Sequence, residues 1–264
     1  MRLKITHRTE YHYDAPVQYL LQRLRLLPPS GHTQTVTSWA VKVDGAREEV
    51  RFADQFGNDT RLVSAEGGHN TIALEATGEV TTRDTAGISG PHQGFAPLWL
   101  FGQQTPLTAP GDGVRDLVGS VGDGADIDRL HRLMGMIGER VAYKPGATSV
   151  VTPAEEALAL KSGVCQDHSH IFAAAARAMG FPARYVSGYL MMESTIEQAA
   201  SHAWAEAHVP GLGWVAFDPA NGISPDERYV RVAIGRDYRD ASPVSGIVLG
   251  QAEEKLAVTV TVEQ

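Results

Sequence analysis

The sequence predicts an α+β fold. A β-rich, sandwich-like unit is expected over residues 1–83, a docked Gly/Pro-rich connector over 84–113, and a mixed unit over 114–264 in which a cysteine-bearing helix packs on an antiparallel sheet. Three observations carry that expectation. Strand-period alternation and Thr/Val-rich runs fill the first 83 residues. Structure-breaking residues crowd the connector. Beyond it, helix-period segments precede a series of strands.

In the first strand, Leu3, Ile5, His7, Thr9, Tyr11 and Tyr13 share one parity, and Arg2, Lys4, Thr6, Arg8, Glu10 and His12 take the other. That pattern buries one face of a strand. Thr33–Val43 and Thr71–Thr82 repeat the β-favouring composition. Between them, Asp54-Gln55-Phe56-Gly57-Asn58-Asp59 has turn chemistry, because Gly and Asn tolerate positive φ. From Ala86 to Gly113, 10 of 28 residues are Gly or Pro, yet Pro97-Leu98-Trp99-Leu100-Phe101 is apolar enough to pack onto something. Ile127, Leu130, Met134, Ile137 and Val141 recur at helical spacing, with Asp126 as the expected cap. Thr152-Pro153-Ala154-Glu155 reads as a capping box opening a short helix. A helix over Cys165–Gly180 is expected next, with Val164, His168, Ile171, Ala175 and Met179 on one stripe. Strands are expected at Ala183–Met192, His202–Val209, Trp214–Asp218, Arg228–Ile234 and Lys255–Val262.

Composition narrows the function classes. The formal charge of −8 argues against a broad nucleic-acid or anionic-membrane surface. Arg177 interrupts the best apolar stretch, Ile171–Phe181, which falls short of the roughly 18 residues of a membrane span. The N-terminus lacks the apolar core of a signal peptide, so a cytoplasmic protein is expected. With Cys165 as the only cysteine, no internal disulfide forms.

Candidate chemistry lies in three segments of the second half. Gly163-Val164-Cys165-Gln166-Asp167-His168-Ser169-His170 places the thiol where a turn becomes a helix. Unpaired amides and the positive dipole end there favour thiolate and can receive an oxyanion. The Ala173–Ala176 run that follows lets this helix press its backbone against a sheet. His202-Ala203-Trp204-Ala205-Glu206-Ala207-His208 and Trp214-Val215-Ala216-Phe217-Asp218-Pro219 flank a hairpin turn at Pro210-Gly211-Leu212-Gly213. A fold centred on residue 210 sets His202 opposite Asp218, give or take a residue or two. An ordinary thiol, with a pKa near ~8.5, is mostly protonated at neutral pH, and an adjacent imidazole activates it. A carboxylate behind that imidazole fixes its tautomer and stabilises its cation.

These residues resemble the transglutaminase-like superfamily. Its core is matched by Gly163-Val164-Cys165-Gln166-Asp167 with Ala178-Met179-Gly180-Phe181-Pro182-Ala183-Arg184, by the segment from His202 to Glu206, and by the segment from Trp214 to Pro219. Asp54-Gln55-Phe56-Gly57-Asn58 and Gly235-Arg236-Asp237-Tyr238 resemble the two ends of its bacterial branch. The resemblance implies a papain-like core, with Cys165 as nucleophile, His202 as base and Asp218 as orienting carboxylate. It implies a cysteine peptidase or amidase that works without a cofactor or metal on a peptide, protein or small amide. Glutamine-to-amine acyl transfer and a catalytically silent peptide-binding module are the alternatives. Tyr143 is a loose match to the family's aromatic oxyanion donor, and His168 stands where the bacterial pattern has an aromatic residue.

Blander readings compete at each position. A lone cysteine is more often a buried small hydrophobe than a nucleophile, His202 alone reads as a strand histidine, and Asp218 alone as a turn residue. Cys165, Asp167, His168 and His170 are zinc-competent types, but His170 at i+5 lies about 140° round the helix from Cys165. The dipole favours an acid at Asp167, whose charge opposes thiolate formation. Trp204 and Trp214 read as cleft wall or core. Residues Tyr189–Ala200 either border the cleft or form a surface connection.

Overall fold

The odd-numbered residues from Leu3 to Tyr13 are all buried, and two different partners cover them. In the computed structural model, which describes residues 1–192, 197–198, 200–250 and 253–264, this first strand is β1 (Arg2–Tyr13). After it come β2 (Tyr19–Leu24), β3 (Gln34–Asp44), β4 (Arg47–Ala53), β5 (Asp59–Glu66), β6 (Thr71–Thr82) and β7 (Ile88–Gly90). Helices α1 (Leu98–Phe101), α2 (Asp112–Val121) and α3 (Asp126–Arg140) follow, then β8 (Ala142–Tyr143), α4 (Ala154–Leu160), β9 (Ser162–Gly163) and α5 (Cys165–Ala178). The chain continues through β10 (Ala183–Leu190), β11 (Glu197–Gln198), β12 (His202–Val209), β13 (Gly213–Phe217), β14 (Tyr229–Gly235), α6 (Tyr238–Ala241), β15 (Val244–Leu249) and β16 (Glu254–Glu263).

The β-sandwich forms as the composition implies. One sheet has the order β11-β16-β1-β6-β3 and the other β15-β2-β5-β4. Tyr11 and Tyr13 of β1, with Ile72 and Leu74 of β6, pack on Leu20, Leu24 and Val63 of the second sheet. The other end of β1, Leu3 and Ile5, packs instead on Tyr189, Val230 and Val232 of the third sheet. His7 and Thr9 sit between the two clusters, where His7 is hydrogen-bonded to the Tyr189 hydroxyl (3.0 Å) and to Thr9 (3.2 Å). Strands β15 and β16, from the end of the chain, complete the two sandwich sheets by pairing with β2 and β1.

The third sheet, β14-β10-β12-β13-β7, is antiparallel and carries α5 on one face. Ala173–Ala176, all fully buried, meet Ala183, Ala205, Ala207, Val215 and Phe217. Small side chains on both surfaces bring helix backbone and sheet together, so α5 is buried on nearly all sides instead of along one stripe. Helices α2, α3 and α4 cover its outer surface through Leu117, Leu130, Ile137 and Ala157. The connector is docked: β7 joins the sheet edge beside β13, and Phe101 packs on Phe56 and Trp214.

Several local expectations change in the structure. Ala125 occupies the N-cap position of α3, which has no side-chain cap, and Asp126 is the first residue of the helix. The Thr152/Glu155 capping box does not form: Thr152 Oγ1 accepts from Ser149 N instead. Glu155 turns to the neighbouring helix and accepts from the amides of Gly111, Gly113 and Val114 at the start of α2 (2.7–3.0 Å). The sandwich turn also has a second task. Asp54 Oδ1 accepts from the amides of Phe56 and Asn58, and Asp54 Oδ2 binds buried Arg25 (2.9 Å). The Asn58 amide then clasps Ile234 of β14, donating to its carbonyl (2.8 Å) and accepting from its N–H (2.9 Å). Gln34 makes the same paired contact with Arg231 (2.8 and 2.8 Å). The free edge of β14 is therefore satisfied by side chains. Among the described residues, no helix is long and apolar enough to cross a membrane.

Candidate active site

Cys165 is the first residue of α5, and the turn before it is built around Asp167. Asp167 Oδ2 accepts from Val164 N (2.8 Å) and Thr148 Oγ1 (2.6 Å), closing the helix start from within the first turn. This fold-back requires glycine at 163, because a Cβ there would lie 2.7 Å from both Cβ and Oδ2 of Asp167. Asp167 is thus committed to the backbone that presents the thiol.

The hairpin is centred one residue later than expected. Ala207 pairs with Val215 and Ala205 with Phe217, a register that sets Trp204 and not His202 opposite Asp218. Side-chain reach makes up the offset: His202 Nε2 and Asp218 Oδ2 are 2.7 Å apart. With Nε2 committed, Nδ1 is the ring nitrogen left for Cys165, which lies near enough to raise the imidazole pKa. The structure thus brings Cys165, His202 and Asp218 near one another, with the His202–Asp218 pair in direct contact.

Asp218 is fully buried and held as an anion. Its Oδ1 accepts from the amides of Ala220 (3.0 Å) and Asn221 (3.3 Å), and its Oδ2 from the side chains of Asn221 (2.7 Å) and Tyr229 (2.8 Å). Burial pushes its pKa up, but the hydrogen bond and charge of His202, with those of Asn221 and Tyr229, outweigh this and hold it below the usual carboxylate range. For His202, burial disfavours the imidazolium, yet hydrogen bonding and charge from Asp218 and Cys165 raise its pKa to about 10. Trp204 stacks on the imidazole (centroids 6.3 Å apart, 26° between planes) and Tyr229 packs from another side (5.9 Å). Trp204 and Trp214 are both buried in the core and do not form open cleft walls.

Tyr143 arrives by a separate route. Strand β8 pairs in parallel with β9, setting Tyr143 beside Gly163, and Lys144 N donates to Gly163 O (2.7 Å). Tyr143 is 55% exposed and its hydroxyl lies near Cys165. Burial of its hydroxyl, and the proximity of Cys165, push its pKa up to about 12, so it is a donor at neutral pH.

The zinc-competent residues around Cys165 are otherwise occupied. Both nitrogens of His168 face carbonyl oxygens, Val164 O (2.8 Å) and Val141 O (2.9 Å), so this histidine ties α5 to the end of α3. His170 Nε2 accepts from Tyr238 N (3.0 Å), and burial lowers its pKa to about 3. Among the described residues, no group of three or more His, Cys, Asp or Glu is arranged to hold a metal. Sequence reading missed Asn221 and Tyr229. The Asp218-Pro219-Ala220-Asn221-Gly222 turn offered a signal for Asn221, whereas nothing local marked Tyr229. In the segment Tyr189–Ala200, residues 193–196 and 199 lie outside the described residues.

Residues 115–219 match the transglutaminase-like superfamily core, and residues 3–81 match the bacterial transglutaminase-like N-terminal region. The chain belongs to the transglutaminase-like superfamily. It is similar to an uncharacterized protein of Mycobacterium leprae, 31% identical over 99% of this chain and 98% of the relative. An uncharacterized protein of Mycobacterium tuberculosis is 28% identical over 97% of this chain and 90% of its own length. A protein-glutamine gamma-glutamyltransferase of Pseudomonas aeruginosa is 32% identical, but over only 40% of this chain and 18% of its own. Among solved structures, a Cytophaga hutchinsonii protein provisionally described as a cysteine protease superposes with a TM-score of 0.76 at 22% identity, covering 100% of this chain and 91% of the other. That likeness establishes the shared fold, a transglutaminase-like papain-type core with its β-sandwich.

Proposed function

We propose that this superfamily member is a cysteine hydrolase that cleaves amide or peptide bonds through a thioester, with Cys165 as nucleophile, His202 as acid–base and Asp218 as the carboxylate that orients it. The observation that carries this reading is the imidazole of His202 lying 2.7 Å from the buried carboxylate of Asp218 and close enough to Cys165 for the thiol to shift its pKa. In the first step the sulfur attacks the acyl carbon as the thiolate, its proton already held by the neighbouring His202, whose raised pKa keeps it protonated at neutral pH. In this reading the Cys165 N–H at the helix start and the Tyr143 hydroxyl receive the oxyanion. Collapse expels the amine, which takes the proton back from His202. Water then attacks the thioester with His202 as base, releasing the acid and restoring the thiol.

Release of ammonia from a panel of N-acylated peptide amides tests the reading. Cys165→Ala and His202→Ala are each expected to reduce release by about 10³-fold or more. Undiminished release in Cys165→Ala defeats the proposal. Similarity to the Pseudomonas aeruginosa glutamyltransferase favours a second reading, in which an amine and not water accepts the acyl group. Incorporation of a labelled amine into a glutamine peptide faster than its hydrolysis would select that reading.

A further inference from the structure

Arg184 and Glu206 alternate along their strands with Ala183, Ala205 and Ala207, which pack on α5, so they project from the opposite face of the sheet. There the sandwich loops and the connector leave a cleft of about 260 Å³. Pro29, Phe56, Val232 and Ile234 give it an apolar wall, and Arg184 and Arg231 a charged one. One carboxylate serves both guanidinium groups. Glu206, 1% exposed, accepts from Ser89 Oγ (2.7 Å) and Arg184 Nε (2.5 Å), and lies 3.9 Å from Arg231 Nη1. The cluster therefore keeps one positive charge in excess.

Two buried donors beside this cluster have no partner among the described residues: Arg231 Nε and Trp204 Nε1, the latter in a side chain 2% exposed. Both residues line a smaller void of about 20 Å³ that shares Ser89 and Arg231 with the larger cleft. The other charged residues at that void are engaged elsewhere. Arg83 donates to the carbonyls of Gly31 and His32, and Asp226 pairs with Arg228. A buried donor without an acceptor costs about 1–3 kcal/mol, so the pair marks polar positions that the chain leaves open to a water or a ligand atom. The site is also built in advance. Gln34 fixes the main chain of Arg231 through paired hydrogen bonds to its N–H and carbonyl.

We infer that this cleft is a binding site for a small organic monocarboxylate, whose carboxylate is taken by Arg231 beside Arg184 and whose apolar body lies against Pro29, Phe56, Val232 and Ile234. A guanidinium fork matches a carboxylate in two parallel hydrogen bonds. A single excess charge suits a monoanion better than a phosphate dianion, and the volume and apolar wall suit a ligand larger than an ion. The site is separate from the thiol, since Cys165 packs on the α5 side against Ala203 and Tyr185.

Calorimetric titration of the full chain, with Cys165 carboxamidomethylated so that the thiol site is blocked, tests this inference. N-acetyl-L-leucine is expected to bind saturably at one site, while its neutral analogue N-acetyl-L-leucinamide and inorganic phosphate bind at least tenfold more weakly. Arg231→Gln should weaken the acid at least tenfold. Arg231→Lys, which keeps charge but loses the fork, should weaken it less, and it supplies the reading if the glutamine variant does not fold. The inference is overturned if the acid shows no saturation to about 10 mM, if amide or phosphate binds as tightly, or if neither variant changes its affinity.

Discussion

Asp218 has no solvent exposure, and its oxygens meet donors from His202, Ala220, Asn221 and Tyr229, so its charge is fixed before any substrate arrives. That arrangement sets the sign of a pH effect. The folded-state pKa of His202 is raised to about 10. The stability from its pairing is therefore fully present below the unfolded-state value of about 6.5 and is lost as pH rises through about 10. Urea unfolding should show Asp218→Asn to be more destabilising at pH 6 than at pH 10.5, and an equal penalty at both would contradict the raised value. Coupling to the thiol has its own readout. Intact-mass kinetics at neutral pH should show iodoacetamide alkylating Cys165 about tenfold or more slower in His202→Ala than in wild type. Tyr229→Phe leaves the carboxylate one donor short in a buried site and should cost about 1–2 kcal/mol in the same unfolding experiment.

Elements in this chain are terminated and edged by side chains from distant segments. Glu155 in α4 satisfies the first amides of α2 (2.7–3.0 Å), so Glu155→Ala should destabilise the protein by about 1–2 kcal/mol, with hydrogen exchange accelerating first at Gly113 and Val114. Protection at those amides unchanged from wild type would remove Glu155 as their cap. The same reach limits what could be read beforehand. Helix α3 and strand β1 are legible because each buries one face and its apolar residues keep a single period. Strand β4 is exposed along its whole length, so it shows no alternation, and β2 and β5 were likewise not foreseen. Helix α5 is buried nearly all round, its polar residues Gln166, Asp167, His168, Ser169, His170 and Arg177 included, so the expected apolar stripe does not mark its buried surface. Cys165, His202 and Asp218 could be grouped because a short hairpin links two of them by simple arithmetic. Tyr229 could not, because its bond to Asp218 depends on how β14 lies across the sheet.

At the scale of the molecule, β1 is the shared wall of two cores, with His7 at the seam. Burial lowers the pKa of His7 to about 4 and that of His170 to about 3, so the unfolded chain binds these protons first. Their neutral forms impose no penalty above about pH 6.5, and stability falls as pH drops towards those values, by about 1.4 kcal/mol per pH unit for each histidine. His7→Gln should flatten the acid limb of the stability curve by one proton's slope between pH 6.5 and 4, while parallel curves would mean that His7 does not titrate with unfolding. The sandwich itself was foreseen from composition, but its use of β15 and β16 to complete the two sheets was not, because strand pairing across the whole length of a chain leaves no local trace. The Gln34 and Asn58 clasps on β14 carry a consequence beyond the cleft they border. An uncovered sheet edge is a template on which another chain can lay a strand. These two amides, supplied from the sandwich, occupy positions at which such a strand would bond, so β14 ends its sheet within the molecule instead of extending it into a neighbour.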